Sequence, residues 1–566
     1  MNRKKIQSMI LAASVTGSCL TTFSLNCVSV FAADSAVADE VVISLDNDGT
    51  TVDGQTISSD ETSAVYAAHD IIYYEDRDTY DSGNTYGEGE DSDKHTEEEA
   101  ASETVIHITK AGTYKISGTL QGQIAVDLGE DAKEDADAVV TLIFDNADVT
   151  CDVAPAVIFY NVYECDTDWT EADAEGTENY VSPAEVDTTA AGANIIIADG
   201  SVNNLVGSYV AKVYKDNDEQ KKLYKYDGAV YSAMSMNVSG ETSGDGVLNI
   251  TGANEGLDSH VHLTINSGTL NITSQDDAIN TDEDNVSVMT INGGNVNVAG
   301  GMGSEGDGID SNGYIVVNGG TVVATAKDMS DSGLDSTLGT LINGGTVFAS
   351  GSSMDGASEE SLQPNMFLQF TGSQSTSDIM TVKDTEGNIV YEMDLSGNEF
   401  FTDTERTYTG LVISSDGLVQ NETYTVEVNG TAMAYTSEGR TMGGFGQPGM
   451  GMPNGEMPQM PDGEMPELPE GMTEGELPQM ADGERPELPE GMNEGEMPEM
   501  PNGEMPELPE GMSEGEMPQM PNGQQPPSWG NGAARGDGET AVDVEASSEF
   551  TLSGVVSTFG GVQTAE

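Results

Sequence analysis

Aspartate and asparagine recur at set places between residues 254 and 356, and oxygen ligands in such an array are what a hard cation takes. Four short motifs carry them: Glu255-Gly256-Leu257-Asp258-Ser259, Asp276-Asp277-Ala278-Ile279-Asn280-Thr281, Asp307-Gly308-Ile309-Asp310-Ser311 and Ser332-Gly333-Leu334-Asp335-Ser336. Asp258, Asn280, Asp310 and Asp335 are candidates for one column, although their spacings of 22, 30 and 25 require turns of different length. Glu255, Asp282, Asp284, Glu305, Asp328 and Asp355 crowd the same turns. Two carboxylates about 5 Å apart, at an effective dielectric near 20, repel by roughly 3 kcal/mol. Several such pairs matter against a marginal folding stability, so either the side chains splay into water or cations sit between them. We take the second reading. The expected ion is calcium and the expected ligands are Asp258, Asp276, Asp277, Asn280, Asp307, Asp310, Asp331 and Asp335.

Something must hold these turns in line. A second marker recurs between them: Ile265-Asn266-Ser267-Gly268-Thr269-Leu270, Ile291-Asn292-Gly293-Gly294-Asn295-Val296, Val317-Asn318-Gly319-Gly320-Thr321-Val322 and Ile342-Asn343-Gly344-Gly345-Thr346-Val347. Its asparagines are 26, 26 and 25 residues apart, and a period in this range marks a stacked repeat. The runs between the markers are β-branched with period-2 alternation, and Asn-Gly-Gly or Gly-Asp turns break them. At about 3.3 Å per residue, 25 residues make two or three short strands with their turns. The predicted class is all-β: a parallel β-helix whose alternate side chains fill a narrow core.

Two other clusters could do chemistry. Tyr214, Lys221, Lys222, Tyr224, Lys225 and Tyr226 lie in an insertion at about 210–227, which stands out in an acidic chain. Rings stack on sugar faces and ammonium groups meet carboxylates, so this is a candidate carbohydrate-binding segment; a plain charged hairpin reads equally well. Lys327 is the single Lys, with no Arg, between Gly228 and Val382. Asp328 and Asp331 beside it predict a surface ion pair that keeps it protonated. The Asp46 to Gly49 turn resembles a calcium loop but lacks the sixth-position glycine and the closing glutamate.

In chain order, Arg3, Lys4 and Lys5 precede an apolar run and the small residues at Ala32 and Ala33, so residues 1–33 read as a secretory signal. Residues 34–360 hold the repeat, with insertions at about 73–103, 166–193 and 210–227; 361–440 read as a small C-terminal β cap or sandwich. Residues 441–528 are dominated by Gly, Met, Pro and Glu, with Pro-Glu-Leu-Pro-Glu-Gly-Met recurring from Pro466, Pro486 and Pro506. Such a segment has no core and reads as a disordered acidic linker, before a tail over 529–566 whose last strand begins near Phe550. Cys151 and Cys165 are expected to form a disulfide in an oxidising compartment. The net charge of −80 opposes nucleic-acid binding, which needs cationic side chains against phosphate. No later apolar run reaches the roughly 20 residues of a membrane span. A secreted or surface-associated monomer is expected.

The order Gly112-Thr113-Tyr114-Lys115-Ile116-Ser117-Gly118-Thr119-Leu120, Gly228-Ala229-Val230-Tyr231-Ser232, Gly246-Val247-Leu248-Asn249-Ile250-Thr251-Gly252, Glu255-Gly256-Leu257 and Asp307-Gly308-Ile309 resembles a family of exported bacterial carbohydrate-binding proteins, many of them clostridial. The resemblance covers roughly Val41 to Gly430. It implies a right-handed, pectate-lyase-like β-helix, calcium on its coils, and binding of cellulose and polygalacturonate-type polymers without catalysis. The expected function is therefore calcium-dependent polysaccharide binding. The alternatives are a calcium-dependent pectate lyase centred on Lys327 and a structural or adhesive surface protein.

Overall fold

The computed structural model describes residues 40–74, 94–175, 180–211, 225–303, 306–327, 331–354, 356–438 and 546–565. These belong to one compact unit. The signal segment, the Met-Pro repeat, and Tyr214, Lys221, Lys222 and Tyr224 lie outside the described residues.

The described chain is all-β with few helices, and its sheet is mixed. Through the repeat, strands three apart along the chain pair in parallel. Gly228–Ser232, Glu255–Ser259, Ile279–Thr281, Ile309–Ser311 and Leu334–Ser336 form one ladder. Met236–Gly240, His262–Ile265, Val288–Ile291, Tyr314–Val317 and Gly339–Ile342 form a second. Val202–Gly207, Val247–Gly252, Thr269–Ser274, Asn295–Ala299, Thr321–Thr325 and Thr346–Gly351 form a third. Each unit thus returns to the same three ladders. Leu257, Ile279, Ile309 and Leu334, with Leu270, Ile272, Val296, Val298 and Val322, point into one continuous apolar core.

The Asn-Gly-Gly marker has a direct physical reason. The Nδ2 of Asn292 donates to Asn266 Oδ1, Asn318 to Asn292 and Asn343 to Asn318, each at 3.0 Å, so the side-chain amides run as a chain down the stacked turns. The second glycine adopts a positive φ, 86° at Gly294 and 82° at Gly320, where a Cβ would meet a carbonyl oxygen of the preceding unit at 2.6 Å. Only glycine fits that conformation and that approach.

Beyond the repeat, Thr407–Ser414 pairs antiparallel with both Thr346–Gly351 and Asn365–Ser375. Val323 and Phe348 of the last units enter a second core with Met366, Leu368, Tyr391, Tyr408, Phe550 and Phe559. This region is not wholly antiparallel, because Val556–Thr564 runs parallel to Asn365–Ser375.

One expectation needs correction. Cys151 and Cys165 are free thiols. Cys151 ends the strand Val140–Cys151 and packs into the apolar core, which pushes its thiol up to about 12, whereas Cys165 lies against Glu164 and Ser235. The insertion at 166–193 carries a helix, Thr167–Glu175, whose Trp169 packs on Val261 and Val286, while Asp166 bonds the buried His262 at 3.2 Å.

Candidate functional site

The first ladder brings the motif residues into register. Asp258 stands opposite Asn280, and Asp310 opposite Asp335. The Ile279 to Ile309 pairing joins the two pairs, so that Asn280 is followed by Asp310. The turns absorb the uneven sequence spacing, as the column required.

Two acidic groups result. In the first, Glu255 and Asp258 are buried and lie within hydrogen-bonding reach of each other, with Asp227 buried beside them. Asn280 Nδ2 donates to Glu255 Oε1 at 3.0 Å. Glu255 Oε2, Asp258 Oδ1 and Asn280 Oδ1 are buried oxygens with no hydrogen-bond donor. Burial, compounded by Asp258 and Asp227, holds the Glu255 carboxyl well above the usual range; burial and Asp282 do the same to Asp258. The nearby cation is Lys225, whose Nζ lies 2.7 Å from Asp227 Oδ2. Burial works against its charge, but Asp227 outweighs that and holds Lys225 above its ordinary value.

In the second group, Asp307, Asp310 and Asp335 are half-buried and offer carboxylate oxygens that all lie within 4.8 Å of one another. Burial pushes Asp307 up to about 8, and burial with Asp335 pushes Asp310 up to about 7. Burial and Asp310 also hold Asp277 well above the usual carboxylate range, although its Oδ1 accepts the Asp307 N–H at 2.6 Å. Asp331 is buried next to this group, and Ser332 N donates to Asp307 Oδ1 at 2.5 Å. Asp276 supplies a carbonyl to Gly301 N at 2.7 Å, and its charge acts on Asp277 and Asp310.

Buried oxygens without donors, one of them a neutral amide, are the donor set a hard divalent cation takes; no thiol or imidazole stands among them. The residues present therefore fit calcium. Sequence reasoning missed Asp227 as a member of the first group. The only signal for it is its place just before Gly228, which pairs with Glu255.

Of the aromatic and basic segment, Lys225 and Tyr226 are described. Tyr226 is 2% exposed and packs against Tyr160 and Tyr231 at 5.4 and 5.2 Å between centroids, so its ring offers no sugar-stacking face. Lys225 is committed to Asp227. Lys327 Nζ donates to the Gly303 carbonyl, and among the described residues it forms no ion pair; Asp328, one of its expected partners, lies outside them. Arg406, which local sequence gave no reason to consider, reaches the same loop. Its Nη1 donates to Gly300 O, and its Nη2 lies 2.8 Å from Met302 Sδ. Burial lowers its guanidinium to about 10 against the opposing pull of Asp331.

A family model described as carbohydrate-binding domain-containing protein matches residues 102–194 and 182–439, more than half of the chain. The chain belongs to this family. The match spans all three ladders and both acidic groups of this carbohydrate-binding domain-containing protein. No curated protein matches it. A solved structure, that of a polysaccharide lyase-like protein from C. thermocellum in a gadolinium derivative, is similar at 20% identity and a TM-score of 0.32, covering 54% of this chain and 92% of that one. No helix among the described residues is long and apolar enough to cross a membrane.

Proposed function

We infer that this family member is an exported, calcium-binding, non-catalytic polysaccharide-binding protein whose repeat winds as a right-handed parallel β-helix. The calcium reading is carried by the donorless buried oxygens of Glu255, Asp258 and Asn280. One ion would be held by Glu255, Asp258 and Asn280 with Asp227 at their edge, another by Asp307, Asp310 and Asp335. Calcium there supplies the positive charge that buried carboxylates lack. Winding is supported by pairing between every third strand, and export by the basic and apolar N-terminal residues. Family membership supports polysaccharide as the ligand, and pectin-type polymers and cellulose are the classes proposed. A chain of net charge −80 repels a polyuronate, and calcium would bridge the two.

Pull-down of the full chain on insoluble cellulose and on pectate gel, with calcium and with chelator, tests this reading. Calcium-dependent retention on pectate is expected. Absence from both matrices would leave the structural or adhesive alternative. The lyase alternative predicts rising unsaturated-uronate absorbance with calcium and polygalacturonate; the expected trace is flat.

A further inference from the structure

The last described segment, residues 546–565, completes the cap from far along the chain. It belongs to the same compact unit as the residues up to Gly446, whereas Gln447–Asp543 do not. Phe550–Thr551 pairs antiparallel with Thr423–Val428. Val556–Thr564 runs parallel to Asn365–Ser375 and antiparallel to Thr431–Ala434 and Ser437–Glu438. Phe550, Leu552, Phe559 and Val562 are buried in the second core, where the rings of Tyr435, Phe550 and Phe559 meet with centroids 4.8 to 5.0 Å apart. Asn365 N donates to Val555 O at 2.8 Å, Leu552 N to Glu422 O at 3.0 Å and Ala565 N to Ala432 O at 2.9 Å. Without this segment the cap would present an unpaired edge on Asn365–Ser375 beside an open apolar core, which is the surface that strand addition fills.

None of these contacts depends on the segment's covalent connection to the rest of the cap. Tyr435 and Ser547 exchange both backbone hydrogen bonds, at 2.8 and 2.9 Å, so the chain leaves the cap and rejoins it at one place, with residues 439–545 between. The identical segment of another copy makes every one of the same contacts. The advantage of a chain's own segment is its effective concentration, which falls as the connection lengthens. With a connection as long as 439–545, a second copy competes once the protein is concentrated.

We propose that the cap is a strand-accepting site whose partner is the 546–565 segment of a second copy of this chain, so that copies join by exchanging their C-terminal strands. The site is built from Asn365–Ser375, Thr423–Val428 and Thr431–Glu438, and it selects the segment through Phe550, Leu552, Phe559 and Val562. It is independent of the polysaccharide-binding reading, since no residue of either acidic group takes part.

Thr423 and Thr551 report on the docking, because their hydroxyl oxygens lie 2.8 Å apart across the two strands and both side chains are partly exposed. Full chains carrying Thr423→Cys and Thr551→Cys are mixed, incubated together and then oxidised, with each variant alone as the background. Exchange links the two variants in a disulfide-bonded dimer, read on a non-reducing gel, and the linked fraction rises with the protein concentration during incubation. Phe559→Ala in the Thr551→Cys chain removes a buried ring from the donated segment, and the linkage is lost. The double variant Thr423→Cys with Thr551→Cys, oxidised while dilute, closes within one chain and no longer exchanges. A double variant that closes while the mixture links no more than its background confines each segment to its own chain and overturns the proposal. A double variant that does not close overturns the docking on which the proposal stands.

Discussion

Glu255 and Asp258 are buried within reach of each other, with oxygens that no donor satisfies. Without a cation, one of them must hold a proton, because two charges there cost more than the fold can absorb. Glu255→Gln with Asp258→Asn removes the repulsion and the ligands together. In chelator this double variant should be more stable than wild type by about 1–3 kcal/mol, and calcium should no longer raise its melting temperature through this group. The second group sets a pH dependence. Asp307 at about 8 and Asp310 at about 7 lie above their unfolded values. The folded chain therefore keeps protons that the unfolded chain has released. In chelator their contribution is full below about pH 4 and is lost as pH rises through 7 to 8. Calcium replaces those protons, so the gap between melting temperatures with and without calcium should widen over that window. Melting curves across a pH series check the sign.

The strand-and-turn unit is where most of the fold was legible. Asn266, Asn292, Asn318 and Asn343 recur because each amide donates to the one before it. Asn318→Asp places an acceptor against the Asn292 acceptor and should cost about 1 kcal/mol. Gly320→Ala should cost more than about 1 kcal/mol, through its positive φ and the clash with Gly294 O. Thermal melting of both variants in calcium checks these magnitudes. The Asp258, Asn280, Asp310 and Asp335 column could be read despite spacings of 22, 30 and 25, since the strands keep one register through units of unequal length. Contacts without a periodic marker could not be read. Arg406 reaches the Gly300 loop from a distant strand, Tyr226 turns inward onto Tyr160, and Trp169 docks its helix on Val261. Each is a tertiary choice that local pattern does not encode.

At the scale of the whole molecule the governing fact is charge. A net charge of −80 over the whole sequence favours solubility and works against compaction. The motif turns concentrate that charge along one column, and the buried oxygens there are the places where a divalent ion relieves it with the least rearrangement. Stability, ligand affinity and pH response should therefore all move with calcium. The most direct test is calcium titration into the chelator-stripped full chain, followed by calorimetry and thermal melting. Saturable binding and a raised melting temperature are predicted, and both should vanish when Glu255→Gln and Asp258→Asn are joined with Asp310→Asn and Asp335→Asn. No heat of binding and a melting curve indifferent to calcium would contradict the account.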